Sequence, residues 1–157
     1  MAIKIDLEKA YDKIEWSFIC EMLLSLKFPS SLVELIMSCL SSVSSSLLFN
    51  GGCLDPFRPS RGIRQGNPLS LYLFIICMEY LSHLIELKCV DKSWNPVKTF
   101  RSGLHFSHLF FEDDLVLFSY ANPDNCLAIR ELLSDFCAKS GQTISAAKSR
   151  VFFLSEC

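Results

Sequence analysis

Three acidic residues in a row, Glu112-Asp113-Asp114, interrupt an otherwise apolar run from Leu109 to Phe118. Adjacent like charges repel, and apolar strands on either side seek burial, so the chain must turn here and carry the acids into solvent or against a cation. The pattern predicts two strands, Leu104 to Phe111 and Leu115 to Tyr120, joined by an acidic tip. A solvated turn explains the flanks without any chemistry, since acids are common in turns. A second acid, Asp6, ends another short apolar segment, Ala2 to Leu7. Carboxylates from a strand end and a hairpin tip are one way to hold Mg²⁺, which takes oxygen ligands and leaves positions open for phosphates. Taken alone, Asp6 reads as an ordinary strand-end or turn acid.

Between these acids the periodicity is mostly helical. Ile19, Met22, Leu23 and Leu26 mark one face of a helix that stops before Pro29, and Leu32, Leu35, Ile36, Cys39 and Leu40 mark a second, with Ser30 or Ser31 as its N-cap. Val43 to Asn50 and Cys53 to Phe57 predict a β-hairpin about an Asn50-Gly51-Gly52 turn. Arg58 to Gly66, with three arginines, reads as a loop, and Asn67-Pro68 opens a helix running to about Lys88. Asp91 to Gly103 has no period and is expected to be a surface excursion. Asn122-Pro123 opens a helix that Gly141 ends, and Val151 to Leu154 forms a last short strand. The predicted order is β, α, α, β, β, α, β, β, α, β, an α+β layout in one domain over residues 1–157.

Composition narrows the function classes. Half of the 157 residues are apolar and 20% charged, enough for a core and unlike a disordered chain. The net charge of −2 argues against a free-standing nucleic-acid binder, which usually carries a basic surplus. Eight cysteines without a C-x-x-C pair give no zinc signature, and with no signal-like apolar start they are expected to be reduced packing residues. The longest uncharged apolar stretch, Leu69 to Met78, is shorter than the roughly 20 residues a bilayer takes, so no membrane partner is expected.

Four segments carry a resemblance. Lys4-Ile5-Asp6-Leu7-Glu8-Lys9-Ala10-Tyr11-Asp12, Gly62-Ile63-Arg64-Gln65-Gly66-Asn67-Pro68, His108-Leu109-Phe110-Phe111-Glu112-Asp113-Asp114 and Ser140-Gly141-Gln142-Thr143-Ile144 through Lys148 resemble, in order and spacing, successive motifs of the reverse transcriptase domain of non-LTR (LINE-type) retrotransposons, plant-like in flavour. The resemblance implies a polymerase palm: an antiparallel sheet presenting the acids, with helices packed on one face. It implies RNA-directed DNA polymerisation with two Mg²⁺ ions, or Mn²⁺, and an RNA template, a DNA primer and deoxynucleoside triphosphates as partners. Residue by residue, it makes Asp6, Asp113 and Asp114 the catalytic metal ligands and Tyr11 the aromatic residue under the incoming sugar. It sets the backbone of Lys9 and Ala10 near the triphosphate, Arg64, Gln65 and Gly66 against nucleotide and template, and Lys148 as a general acid for the pyrophosphate. Without it, Tyr11 reads as a half-buried tyrosine and Lys148 as a solvated lysine.

Glu112 departs from the small residue usual in the family and adds negative charge beside the metal acids. Against the family's layout, the chain is expected to cover a palm without fingers or thumb, exposing apolar surface consistent with a mean hydropathy of +0.31. A non-catalytic, truncated remnant is the alternative function, and a generic metal-dependent phosphotransfer domain a third.

Overall fold

A computed structural model describes residues 1–98, 103, 105–111 and 113–153. Its centre is a four-stranded antiparallel sheet built from β1 (Ala2–Asp6), β6 (His108–Phe111), β7 (Asp114–Phe118) and β8 (Arg150–Phe152), in the order β6-β7-β1-β8. Strand alternation sorts the side chains. Ile5 lies opposite Leu115 and Ile3 opposite Leu117, and this face is covered, with Ile5, Leu115 and Leu117 all buried. Lys4, Asp6 and Asp114 fall on the other face together with the exposed Leu109 and Phe111.

The covered face meets the helices α2 (Trp16–Ser25), α4 (Pro68–Val90) and α5 (Pro123–Ser140); α3 (Ser30–Ser41) packs outside on α2. Phe18, Ile19, Leu73, Phe74, Leu81, Ile85, Leu132 and Phe136 form one core with the strand residues. Asn67 caps α4, its side chain accepting from the Leu69 amide at 3.0 Å, and Asn122 caps α5 through the Asn125 amide at 2.8 Å. Gly141 ends α5 at φ 76, as its C′ position requires. The α+β expectation, with helices on one face of an antiparallel sheet, holds.

Several boundaries differ from the sequence reading. Pro29, not Ser30 or Ser31, stands at the N-cap of α3, and no side chain caps it; both serines are already helical. The expected hairpin shrinks to β2 (Leu48–Phe49) and β3 (Gly52–Cys53) around Asn50 and Gly51, with one further bridge between Ser45 and Phe57. An added one-turn helix, α1 (Ala10–Lys13), follows β1. The excursion after Asp91 contains β4 (Val97–Lys98), which pairs with β5 (His105–Phe106), and brings in Trp94, fully buried with its indole N–H on the Phe118 carbonyl at 3.0 Å. Leu104, Glu112 and Leu154 lie outside the described residues, as does part of that excursion. Among the described residues all seven cysteines are free thiols. By length and composition α4 could cross a membrane, being longer than the Leu69 to Met78 stretch suggested. Here it is the central core helix, burying Leu73, Phe74, Cys77, Met78, Leu81 and Ile85.

Candidate active site

The site grows from the end of β1. Asp6 and Asp114 are direct ladder partners, which puts their carboxylates side by side on the open face of the sheet. Two like charges so placed repel unless cations intervene. Two lysines do so: Lys4 Nζ lies 2.9 Å from Asp114 Oδ1, and Lys148 Nζ lies 3.8 Å from Asp6 Oδ1. Lys4 precedes Asp6 by two residues on the same strand, so the strand period already sets both on one face. Asp113 is exposed in the turn before β7. Among the described residues no three His, Cys, Asp or Glu side chains converge as a metal would need. Of the three carboxylates expected to gather, the structure brings two together and leaves Asp113 beside them in the turn.

The donor chemistry nonetheless suits a hard divalent cation. Asp6 Oδ1 is buried and accepts no hydrogen bond; the Lys148 ammonium stands 3.8 Å off, beyond hydrogen-bond reach, so the oxygen can take a closer cation. The Asp6 backbone is firmly held: its amide donates to Ser149 Oγ at 3.3 Å and its carbonyl accepts from the Ser145 amide at 2.9 Å. Ser149 Oγ in turn donates to the Ser145 carbonyl at 2.7 Å, closing the turn that carries Lys148. Lys148 itself is mostly exposed.

After β1 the chain enters a turn that cannot satisfy its own carbonyls. Lys9 adopts φ 49, a left-handed conformation, and α1 spans only Ala10–Lys13. The last four carbonyls of a helix look beyond it for donors, and α1 is only four residues long. Two other segments supply the donors. The Arg58–Gly66 loop gives the Ile63 amide to the Tyr11 carbonyl at 2.7 Å and the Gly62 amide to the Ile14 carbonyl at 2.8 Å. From the segment after α5, Gln142 Nε2 donates to the Ala10 carbonyl at 2.7 Å. The same segment receives the Glu8 amide on Thr143 at 2.8 Å and the Glu15 amide on Ser140 at 2.9 Å. The Lys13 ammonium, 2.8 Å from Glu8, holds that exposed carboxyl below its ordinary range.

These bonds tie the Lys9–Tyr11 turn to the Arg58–Gly66 loop on one hand and to the segment after α5 on the other. Tyr11 is half-buried, its ring stacked on Phe74 with centroids 4.7 Å apart and planes 17° from parallel. Ala10, next to it in the chain, is buried. Arg64, Gln65 and Gly66 are exposed on the loop that Tyr11 anchors, and a Cβ on Gly66 would meet nothing within 4 Å, so its backbone is open to close approach. A groove of about 610 Å³ runs along this loop, lined by Asp12, Trp16, Ser45, Arg61, Arg64 and Asn67 among others; it does not include Asp6, Asp113 or Asp114. Sequence reasoning assigned no role to Lys4, Gln142, Phe74 or Ser149. Strand alternation could have found Lys4; the other three make contacts between distant segments that no local pattern announces.

Comparison with known proteins identifies the family and the fold. The family described as Reverse transcriptase (RNA-dependent DNA polymerase) matches residues 1–156. The Pol polyprotein of the type-2 retrotransposable element R2DM of Drosophila melanogaster is 27% identical over 92% of this chain, which spans 13% of that protein. An uncharacterized mitochondrial protein of Arabidopsis thaliana is 39% identical over 67 residues, 43% of this chain and 55% of that one. In fold, telomerase from Candida albicans superposes with a TM-score of 0.70 over 99% of this chain and 27% of its own, at 17% identity, and telomerase from Candida tropicalis with 0.71 over 95% and 25%, at 16%. The sheet with its helices is thus the palm-like core those enzymes share, and the chain belongs to the reverse transcriptase family, with retrotransposable-element Pol polyproteins among its relatives.

Proposed function

We propose that this chain is the palm of an RNA-directed DNA polymerase of a LINE-type retroelement, using Asp6, Asp113 and Asp114 for nucleotidyl transfer. One observation carries the reading: Asp6 and Asp114 are opposed on the open face of the sheet, and Asp6 presents a buried oxygen without a hydrogen-bond partner. These three carboxylates would hold Mg²⁺ or Mn²⁺. Bound there, divalent cations supply electrostatic stabilisation of the attacking and leaving oxygens in an in-line displacement.

The remaining residues position and protonate. Tyr11, stiffened by its stack on Phe74, would lie against the incoming sugar, where its ring collides with a 2′-hydroxyl and favours deoxynucleotides. The Lys9 and Ala10 backbone would face the triphosphate. Arg64 offers a phosphate contact, while Gln65 and the open backbone of Gly66 accommodate the nucleotide and an RNA template paired to a DNA primer. Lys148, exposed beside Asp6, can deliver a proton to the departing pyrophosphate.

The lysine pairing of both ladder carboxylates favours a second reading, a non-catalytic family member in which Lys4 and Lys148 stand permanently where cations would act. Primer extension separates the two. A chimaera carrying residues 1–156 in place of the matching part of a retrotransposable-element Pol polyprotein is expected to extend a DNA primer on RNA with Mg²⁺ and deoxynucleotides, and Asp113→Asn to abolish this. A folded chimaera that never extends would leave the second reading standing.

A further inference from the structure

Gln142 is nearly fully buried, at 4% exposure, and its two amide atoms fare differently. Nε2 donates to the Ala10 carbonyl at 2.7 Å, joining residues 132 apart in the chain, while Oε1 is buried without a hydrogen-bond partner. An unsatisfied buried acceptor is unfavourable, and methionine would fill the same space without one. Packing therefore does not explain a glutamine here; its donor does.

The donor acts on the segment least able to hold itself. In the turn through Lys9 at φ 49 and the single turn of α1, the Asp12 and Lys13 amides both donate to the Lys9 carbonyl, at 2.8 and 3.1 Å. The Ala10 carbonyl is held from one side by Gln142 and the Tyr11 carbonyl from the other by Ile63. Gln142 is itself held by the fold: Gly141 at φ 76 packs so tightly that a Cβ would come within 2.7 Å of the Lys13 carbonyl, and the Gln142 amide donates to Ser140 Oγ at 3.3 Å.

We propose that Gln142 is a positioning residue that fixes the Lys9–Tyr11 turn and, through the angle it gives the Tyr11 ring on Phe74, sets how strictly a 2′-hydroxyl is excluded. The sugar-selection half rests on the reading of Tyr11 given under Proposed function; the positioning half does not. Gln142→Met removes the donor and the orphan acceptor together, so the two losses offset in global stability while the turn loosens.

Hydrogen exchange and sugar selection test it together. In the full chain, Gln142→Met is expected to speed exchange of the Asp12 and Lys13 amides at least tenfold with little change in melting temperature. In the chimaera it should lower the preference for deoxy- over ribonucleotides several-fold, through better use of ribonucleotides rather than lower kcat on deoxynucleotides. Unchanged exchange at Asp12 and Lys13 would overturn the positioning role whatever the nucleotide data show. A wild-type chimaera that extends primers without any sugar preference would instead overturn the reading of Tyr11. An equal fall in kcat for both sugars would reduce Gln142 to a structural residue. Should the variant fail to fold, the wild type decides: one proton of the Gln142 side-chain amide must be protected and close to Ala10 by NMR, and two freely exchanging protons would refute the bond.

Discussion

Gly62 and Gly66 lie four residues apart in one loop at nearly the same backbone angle, φ +83 and +81, yet alanine should affect them very differently. At Gly62 an added Cβ would stand 2.7 Å from the Asp12 carbonyl oxygen and 3.1 Å from its carbon and Cα; at Gly66 it would meet nothing within 4 Å. Forcing an L-residue into the left-handed region costs about 1–2 kcal/mol, of which about 0.4–1 kcal/mol is returned by the reduced freedom of the unfolded chain. Gly66→Ala is therefore expected to lose about 1 kcal/mol. Gly62→Ala carries the same cost plus overpacking of about 1–3 kcal/mol, because the obstructing atoms are backbone and cannot rotate away, for a total of about 2–4 kcal/mol. In a domain of this size each kcal/mol moves the melting temperature by about 2–4 °C, giving about 2–4 °C for Gly66→Ala and about 4–16 °C for Gly62→Ala. Paired thermal melts followed by circular dichroism measure both. Equal losses would show that Gly62 does not approach Asp12 closely, and that the loop is not locked to the turn after β1 in the way its two backbone bonds describe.

Three further outcomes can be measured on the same chain. Trp94 is fully buried and donates to the Phe118 carbonyl, so Trp94→Phe should lose about 1–3 kcal/mol by leaving that carbonyl unpaired; urea denaturation reads it, and an unchanged midpoint would contradict the bond. His108 is held below its ordinary pKa of about 6.5, chiefly by burial and against the opposing pull of Glu86 and Glu79. Its neutral form is the one the fold prefers, so its contribution is complete above pH 6.5 and is lost as pH falls from there through the depressed folded value. Melting temperatures from pH 7.5 to 5.5 should decline, and less so in His108→Gln. The Cys77 thiol is pushed up to about 12 by burial, so it should resist a thiol reagent at pH 8 while the exposed Cys39, Cys53 and Cys126 react; early mass-mapped labelling of Cys77 would argue against its burial.

What the sequence announced was local. Asn67-Pro68, Asn122-Pro123 and Gly141 act within a helical turn of themselves, and all three terminate helices where their chemistry says they should. Asp6 could be set at a strand end because the apolar run stops there. Trp94 gave no such signal: it sits in a polar, aperiodic stretch, and its indole bonds β7 while its neighbour Asn95 bonds Asn125 of α5, both later in the chain. Ser30 and Ser31 looked like caps, but Pro29 takes the non-helical position and the serines fall inside the helix. The same distinction runs through the site. Its acids stand out by charge, whereas the pairing of Lys4 and Lys148 with them and the bond of Gln142 to Ala10 join segments more than a hundred residues apart.

That remoteness has a consequence for how the molecule is made. β1 is an interior strand of the sheet, flanked by β7 on one side and β8 on the other. A ribosome working at about 5–20 residues per second needs about 7–30 s to go from Asp6 to Ser149, its hydrogen-bond partner 143 residues later. For most of that interval, until β7 emerges, the strand bearing the first acid has both edges bare, and the edge that β8 will cover stays bare to the end of it. A nascent chain of this family is thus open to pairing with the wrong strand, or to a holding chaperone, until its last elements emerge, and contacts so distant in sequence predict slow closure even then.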